Sequence, residues 1–340
     1  MEKSILYIGN KLSKHGNTPT SVESLGELLA QEHKIITVSD KKNKLLRLSD
    51  MLYSIVKFRS QISLVLIDTY STSNFYFAFL CSYLARILKI KYIPILHGGN
   101  LPQRLINNPD MSKSIFSHSV FNIAPSGYLH KVFSDHGYTT EYIPNNIDIS
   151  KYNFTQRKHV RLKLLYVRAI SKVYNPSLAL DVIEQLHKFY PEAELCMVGP
   201  DRDGTLFELK ERVKTLGLEK HVKFSGKLEK KEWLDLSKDY DIFINTTNVD
   251  NTPVSIIEAM ALGLPIVSTN VGGIPFLIED TKDGLLVDPN NCTQMVEKIQ
   301  YIFENPDIAQ NLSLNGREKA ESFDWKKIHS TWKKSLDNVL

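Results

Sequence analysis

Short apolar runs alternate with amphipathic helical patterns along almost the whole chain, and nothing else restricts the fold as tightly. In the first half, strand-like runs fall at 4–8, 34–38, 63–67, 91–96, 120–123 and 140–143. Helical periodicity fills about 17–31, 43–58, 72–88 and 126–136 between them. In the second half, strands are expected at 163–167, 193–198, 221–225, 241–245, 265–268 and 284–287. Helices are expected at about 177–189, 205–216, 229–237, 256–262 and 291–304. Alternation of this kind implies parallel sheets with helices on both faces. A chain of 340 residues exceeds what one core usually fills, so the expectation is α/β with two doubly wound, Rossmann-like units. The polar segment 148–161, carrying Lys151, Arg157, Lys158, His159 and Arg161, reads as the hinge, giving domains 1–155 and 156–322. Ligands of open parallel sheets lie beyond the carboxyl ends of the strands, so two such sheets facing each other would form a cleft.

Charge and cysteine narrow the setting. A formal net charge of +4 is too small to argue for a nucleic-acid partner. Cys81, Cys196 and Cys292 lie far apart in apolar surroundings without a CxxC, which indicates neither a disulfide framework nor a structural zinc site. Met1-Glu2-Lys3 leads straight into a strand-like run, so no secretory leader is expected and a cytoplasmic location follows. The most apolar window, 75–90, is interrupted by Ser82 and Arg86 and is too short to span a bilayer comfortably.

The richest stretch is Thr246 to Pro275, TTNVDNTPVSIIEAMALGLPIVSTNVGGIP. Asp250 and Glu258 stand eight residues apart around the start of a short helix. Ser255 precedes Glu258 by three, the spacing of a capping box, so the helix is expected to begin at Ser255. Gly263 and Pro265 end it, and a strand running into Gly272-Gly273 follows. A helix N-terminus attracts phosphate, and carboxylates beside it accept hydrogen bonds from hydroxyls. Phosphate donors next to sugar-hydroxyl acceptors are what a nucleotide-sugar needs. In the first half, the loop Gly9 to Pro19 joins the first strand to its helix, where Gly16 and Asn17 would let the backbone approach a ligand. His97-Gly98-Gly99 ends the fourth strand, at the ligand-facing edge of a parallel sheet.

Residues 160–290 resemble the C-terminal half of a retaining glycosyltransferase of family 4, one of the glycosyl transferases group 1, with the two-Rossmann GT-B architecture. That family's motif runs Glu, seven residues, Glu, a helix, Gly-x-Pro, a strand and Gly-Gly. Here it reads Asp250, seven residues, Glu258, Gly263-Leu264-Pro265 and Gly272-Gly273. Pro144-Asn145-Asn146-Ile147-Asp148 is similar to the family's domain-linking segment. The resemblance implies that Glu258 binds the donor ribose and that Asp250, where the family usually has glutamate, contacts the transferred sugar. It places the backbone of Thr252, Pro253, Val254 and Ser255 against the diphosphate. Val167 to Pro176 resembles the family's Gly-Arg, four residues, Lys-Gly, making Arg168 a candidate diphosphate cation and Lys172, one residue early, a second. His97 resembles a family histidine near the transferred sugar, and Ser126 a family serine at the next strand end. The segment 323–340 resembles the tail helix that packs back onto the first domain.

The activity implied is transfer of a hexose-type unit from a nucleoside-diphosphate-sugar to a glycan or lipid-linked acceptor, without metal, in surface polysaccharide or lipid-linked glycan synthesis. Fixed cations would stabilise the charge that grows on the departing phosphate. Asp201-Arg202-Asp203 spells a metal-binding Asp-x-Asp but reads as a solvated loop. The basic segment 41–59, with Leu45, Leu48, Leu52, Ile55 and Val56 between cations, fits either a sheet-covering helix or contact with an anionic membrane at its inner face. A nucleotide-sugar epimerase of the same fold and a non-catalytic glycan or nucleotide binder are the alternatives; the substituted glycines near Arg168, and Phe276 where the family often has Glu, keep the second open.

Overall fold

The protein is described by a computed structural model covering residues 4–16 and 19–340. Two compact units divide it: one reaches to Pro144 and adds His329–Leu340, the other is Asn145–Ile328.

The strands of the first unit are β1 (Ser4–Ile8), β2 (Ile35–Val38), β3 (Ile62–Tyr70), β4 (Lys91–His97), β5 (Asn122–Ala124) and β6 (Thr140–Tyr142). Between them lie α1 (Ser21–Leu29), α2 (Lys44–Phe58), α3 (Asn74–Ile87), α4 (Pro102–Asn107), α5 (Pro109–Phe116) and α6 (Gly127–Asp135). The sheet order is β2-β1-β3-β4-β5-β6 and every pairing is parallel. Winding therefore reverses between β1 and β3, where the carboxyl ends of an open sheet diverge to leave a crevice. Helices cover both faces, which is why the inner strands are continuous apolar runs such as Ile5-Leu6-Tyr7 and Leu64 to Ile67, all buried.

The second unit contains β7 (Lys163–Val167), β8 (Glu194–Val198), β9 (Val222–Gly226), β10 (Ile242–Asn245), β11 (Ile266–Thr269) and β12 (Leu285–Val287). Its helices are α7 (Pro176–Phe189), α8 (Thr205–Thr215), α9 (Lys230–Leu236), α10 (Val254–Ala261), α11 (Ile274–Leu277), α12 (Cys292–Glu304) and α13 (Pro306–Glu321). All pairs are again parallel, in the order β12-β11-β10-β7-β8-β9, and the reversal falls between β7 and β10. The α/β, doubly wound expectation holds for both units, and each expected strand has its counterpart. β3 runs on past its apolar stretch to Tyr70, and α4, α5, α11 and α13 are additions to the sequence reading.

The units meet in sequence at Pro144/Asn145 rather than at 155/156. The segment read as a hinge is fastened within the second unit. Arg157, buried, donates from Nη1 to the Leu262 carbonyl at 2.8 Å, and Arg161 Nε pairs with Asp241 at 2.7 Å. Those cations serve internal carbonyls and a carboxylate, so the polar composition does not mark a solvated linker. The last helix, α14 (Trp325–Asp337), is divided likewise. Its later residues bond within the first unit, where Ser335 donates to Glu141 at 2.6 Å and His329 pairs with Glu32 at 2.8 Å. The preceding residues belong to the second, with Trp325 N–H donating to the Ile147 carbonyl at 2.9 Å.

Candidate functional site

In the second unit the chemistry-bearing residues gather at the reversal between β7 and β10. The loop from Thr246 to Pro253 leaves β10 there and is fixed on several sides. Thr246 Oγ1 donates to the Tyr174 and Asn175 carbonyls at 3.0 and 2.8 Å, and Thr269 Oγ1 donates to the Thr247 carbonyl at 2.6 Å. Gly273 N–H reaches the Asp250 carbonyl at 3.0 Å. A Cβ on Gly273 would lie 1.9 Å from the Asn251 carbonyl oxygen, and one on Gly272, at φ +53°, 2.3 Å from that of Asp250. Only glycines permit this approach, so the Gly-Gly pair shapes the acidic loop.

Arg168 follows β7 and pairs through Nη2 with Asp250 Oδ2. The two side chains are 21% and 9% exposed. The guanidinium carbon lies 4.3 Å from the Tyr174 ring centroid, a cation–π contact. Burial would lower the Arg168 guanidinium, but Asp250 and the phenols of Tyr174 and Tyr166 outweigh it and hold the group above its usual range. Burial raises the Asp250 carboxyl, opposed by Arg168 and by the Asn251 N–H that donates to Oδ1 at 2.9 Å. Behind Arg168, a Cβ on Gly199 would fall 1.9 Å from its carbonyl oxygen. The result is a fixed cation, partly open, at the edge of the sheet.

Helix α10 begins at Val254 with Pro253 as its N-cap and no side-chain cap. The expected capping box at Ser255 is therefore absent: Pro253 ends the extended loop two residues earlier and leaves Ser255 inside the first turn. At the other end, Gly263 at φ +82° stops the helix, while Arg317 and Arg157 donate to the Ala261 and Leu262 carbonyls at 2.7 and 2.8 Å. Glu258, freed from capping, accepts from the Tyr152 hydroxyl at 2.9 Å and pairs with Lys230. The Lys230 ammonium also lies 4.9 Å from the Tyr152 ring and 5.3 Å from that of Trp233. Burial, helped by Lys151, pushes it down to about 8. A buried carboxylate with a phenol, an ammonium and an indole around it suits a polar ring bearing vicinal hydroxyls. Sequence reasoning passed over Tyr152 and Lys230, because one lies in the supposed linker and the other in a lysine-rich run that looks solvated.

The remaining candidates of this unit are placed as follows. Thr252 is buried, its carbonyl accepting from Asn145 Nδ2 at 3.4 Å, and Val254 and Ser255 open α10. Lys172 is not brought to Arg168: it sits in a short 3-10 turn, Lys172–Tyr174, with its exposed ammonium 3.8 Å from Glu208. The turn presents Tyr174 to Arg168 instead. Asp203 accepts from Ser171 Oγ at 2.8 Å, Lys172 N–H at 2.9 Å and Thr205 Oγ1 at 2.5 Å. The Thr205 hydroxyl, the Lys172 N–H and the Ser171 hydroxyl hold it well below the usual carboxylate range. Asp201 accepts from Gly204 N–H at 3.0 Å. Among the described residues, no group of three or more His, Cys, Asp or Glu is placed to hold a metal ion.

In the first unit, His97 ends β4 and its Nε2 lies 2.8 Å from Asp68 Oδ1. The imidazole stacks on Tyr70, with centroids 4.8 Å apart and planes at 22°. Asp68, fully buried in its side chain, also accepts from the Tyr7 hydroxyl at 2.9 Å. It too escaped the sequence reading; the signal was an acid directly continuing an apolar strand. Ser126 caps α6 by accepting from Leu129 N–H at 3.0 Å. Gly16, at φ +80°, closes the turn Ser13–His15. Asn17 lies outside the described residues.

The profile of the family described as glycosyl transferases group 1 matches residues 150–319, half of the chain. An uncharacterized glycosyltransferase of Haemophilus influenzae is 32% identical over 158 residues, 45% of this chain and 43% of that protein. N-acetyl-alpha-D-glucosaminyl L-malate synthase of Bacillus anthracis is 25% identical over 77% of this chain and 72% of that enzyme. The chain thus spans under half of the Haemophilus relative's length. Among solved structures, Anabaena Alr3699/HepE in complex with UDP matches with a TM-score of 0.78 at 18% identity, covering 99% of this chain and 100% of that one. Sucrose-phosphate synthase from Thermosynechococcus elongatus matches at 0.80 with 16% identity, over 99% of each chain. Likeness at such identities establishes the fold, which is GT-B. With the profile matching half of its length, the chain belongs to the glycosyl transferases group 1 family.

Proposed function

We propose that this protein is a retaining hexosyltransferase that moves a sugar from a nucleoside-diphosphate-sugar to a hydroxyl of a glycan or lipid-linked acceptor, in surface polysaccharide or lipid-linked glycan synthesis. The observation that carries the reading is the Arg168–Asp250 pair, fixed at the sheet reversal beside the loop that opens α10 and its Glu258. Arg168 would hold the diphosphate and stabilise the charge that develops as the sugar–phosphate bond breaks. Asp250 would take hydroxyls of the transferred sugar and Glu258 those of the ribose. In a front-side displacement the departing phosphate itself accepts the acceptor's proton, so no separate base is required, and positioning supplies the rest of the rate. Solved structures of Anabaena Alr3699/HepE contain UDP and UDP-glucose, which makes a uridine diphosphate hexose the first donor to try.

The test is a panel of nucleotide-sugars with and without glycan acceptors. Slow donor hydrolysis and an anomerically retained product support the proposal. An epimerised donor would identify an isomerase, and tight binding without turnover a binding protein. Activity is expected to need no metal, since the carboxylates of the Asp-x-Asp are taken up by local donors. Chelator-treated enzyme should keep most of its rate, and complete loss restored by manganese would overturn that expectation.

Contact with an anionic membrane on the cytoplasmic side belongs to the same proposal. No helix among the described residues is long and apolar enough to cross a membrane. Helix α2 turns Met51 and Ile55 to the core and leaves Leu45, Leu46, Tyr53 and Val56 exposed at 75%, 61%, 61% and 44%. Lys41, Lys42, Lys44, Lys57 and Arg59 surround them, a pairing of apolar anchors with cations that suits acidic headgroups. The protein should sediment with phosphatidylglycerol-containing vesicles, less so in high salt, and Leu46→Glu with Lys57→Glu should abolish it. Absence from such vesicles at every ionic strength would remove the membrane from the proposal.

A further inference from the structure

We propose that Asp68 is a positioning residue that fixes the tautomer and plane of His97, so that Nδ1 is held as the acceptor for a sugar hydroxyl. This deepens the transferase reading and rests on it for the nature of the ligand.

Asp68 and His97 lie on neighbouring strands at the carboxyl edge of the first sheet, where the β3–β4 register sets Tyr70 opposite His97. A carboxylate oxygen only accepts. Asp68 Oδ1 takes the Tyr7 hydroxyl at 2.9 Å and His97 Nε2 at 2.8 Å, so Nε2 carries the proton in that contact. The proton on Nε2 leaves the Nδ1 lone pair of the neutral ring as its acceptor. Among the described residues no group bonds to Nδ1. The Tyr70 ring, 4.8 Å away and nearly parallel, fixes the plane that the hydrogen bond alone would leave free to swivel.

The other carboxylate oxygen is left unpaired among the described residues, so the hydrogen bonds of Asp68 go to Tyr7 and His97 through Oδ1 alone. Oδ2 is buried without a hydrogen-bond partner among the described residues, although a buried unpaired oxygen is costly. Asp68 lines a cavity of about 10 Å³ together with Gly9, Asn10, Tyr70 and Asn74 among others. A Cβ on Gly9 would lie 2.4 Å from Oδ2, so the turn after β1 is shaped to admit this carboxylate. Burial, with the nearby Asp68 charge, raises the phenols of Tyr7 and Tyr70 well above their usual range, so both remain neutral beside it.

The experiment reads the imidazole nitrogens of the full chain by long-range ¹H–¹⁵N NMR, with the His97 signal assigned by its loss in His97→Gln. The neutral ring should carry its proton on Nε2. Asp68→Asn, which keeps an acceptor oxygen, should preserve that form, whereas Asp68→Leu should yield a mixture of tautomers. Donor turnover in Asp68→Leu should fall roughly 10–100-fold with nucleoside diphosphate affinity unchanged, as expected for one lost charged hydrogen bond. The double variant Asp68→Leu/His97→Gln should be no slower than His97→Gln alone, because both changes remove one function. A wild-type His97 protonated on Nδ1 overturns the proposal, whether or not Asp68→Leu folds. Fully additive losses in the double variant overturn it equally. If the wild-type protein turns over no donor at all, the transferase reading fails, and the tautomer measurement still decides the role of Asp68.

Discussion

Replacing Arg168 with alanine should lower sugar transfer by roughly 10²–10³-fold, because the charge developing on the departing phosphate loses its fixed partner. It should also destabilise the protein, since Asp250 would be left buried without its ion pair, a change that costs about 3–5 kcal/mol where it has been measured. The two effects separate by pH and by a second substitution. Burial already raises the Asp250 carboxyl with the arginine present, and more so without it. A carboxyl whose folded pKa exceeds its unfolded one binds more protons folded than unfolded, so its penalty is full at neutral pH and fades as acid protonates it. The melting deficit of Arg168→Ala relative to the parent should therefore shrink as the pH is lowered from neutral. Adding Asp250→Asn should restore much of the stability and none of the turnover. A turnover loss under tenfold, or one repaired together with stability, would assign Arg168 to the scaffold alone.

Glu258→Gln should weaken free nucleoside diphosphate binding by roughly ten- to a hundredfold, the worth of one charge-assisted hydrogen bond to the ribose. Asp250→Asn should leave that affinity nearly unchanged and reduce transfer, together with discrimination between sugar epimers. Because α10 is not capped by Glu258, the glutamine should cost little of the helix itself. Its stability effect should be confined to the contacts with Tyr152 and Lys230. Calorimetric titration of both variants and thermal melts without ligand distinguish the cases. Equal affinity losses in the two would defeat the division of labour, and a melting shift with intact affinity would make Glu258 a structural acid.

The sheets were legible in the sequence because strands buried on both faces are apolar runs, and helices between them carry one apolar stripe. Two kinds of element escaped that rule. Helix α13 buries Ala309, Leu312, Ser313, Gly316 and Ala320, mostly small residues that allow close packing on α10 and leave little apolar signal. Helices α4 and α5 are short and open on Pro102 and Pro109, which read as breakers in an unfolded pattern and as first-turn residues in a folded one. At the candidate site, Arg168, Asp250 and Glu258 could be named because each follows a strand or opens a helix within a recognisable run. Tyr152, Lys230 and Asp68 could not, since each gains its meaning from a partner distant in sequence. Lys172 was named for its likeness to the family's lysine, yet the turn that carries it hands Tyr174 to Arg168 instead.

The glycines behind the acidic loop bear on how this protein could change its substrate. Gly272 and Gly273 touch the carbonyls of Asp250 and Asn251 so closely that any side chain would push the loop away, and Gly199 stands equally close to the carbonyl of Arg168. The neighbouring Val249, by contrast, is 37% exposed. Substitutions meant to alter ligand preference would then go to residues on the open side of the loop, with the spacing behind it left as it is. A mutant library built on that division stays small. It randomises the accessible flank, freezes three positions, and spends none of its members on chains whose loop no longer closes.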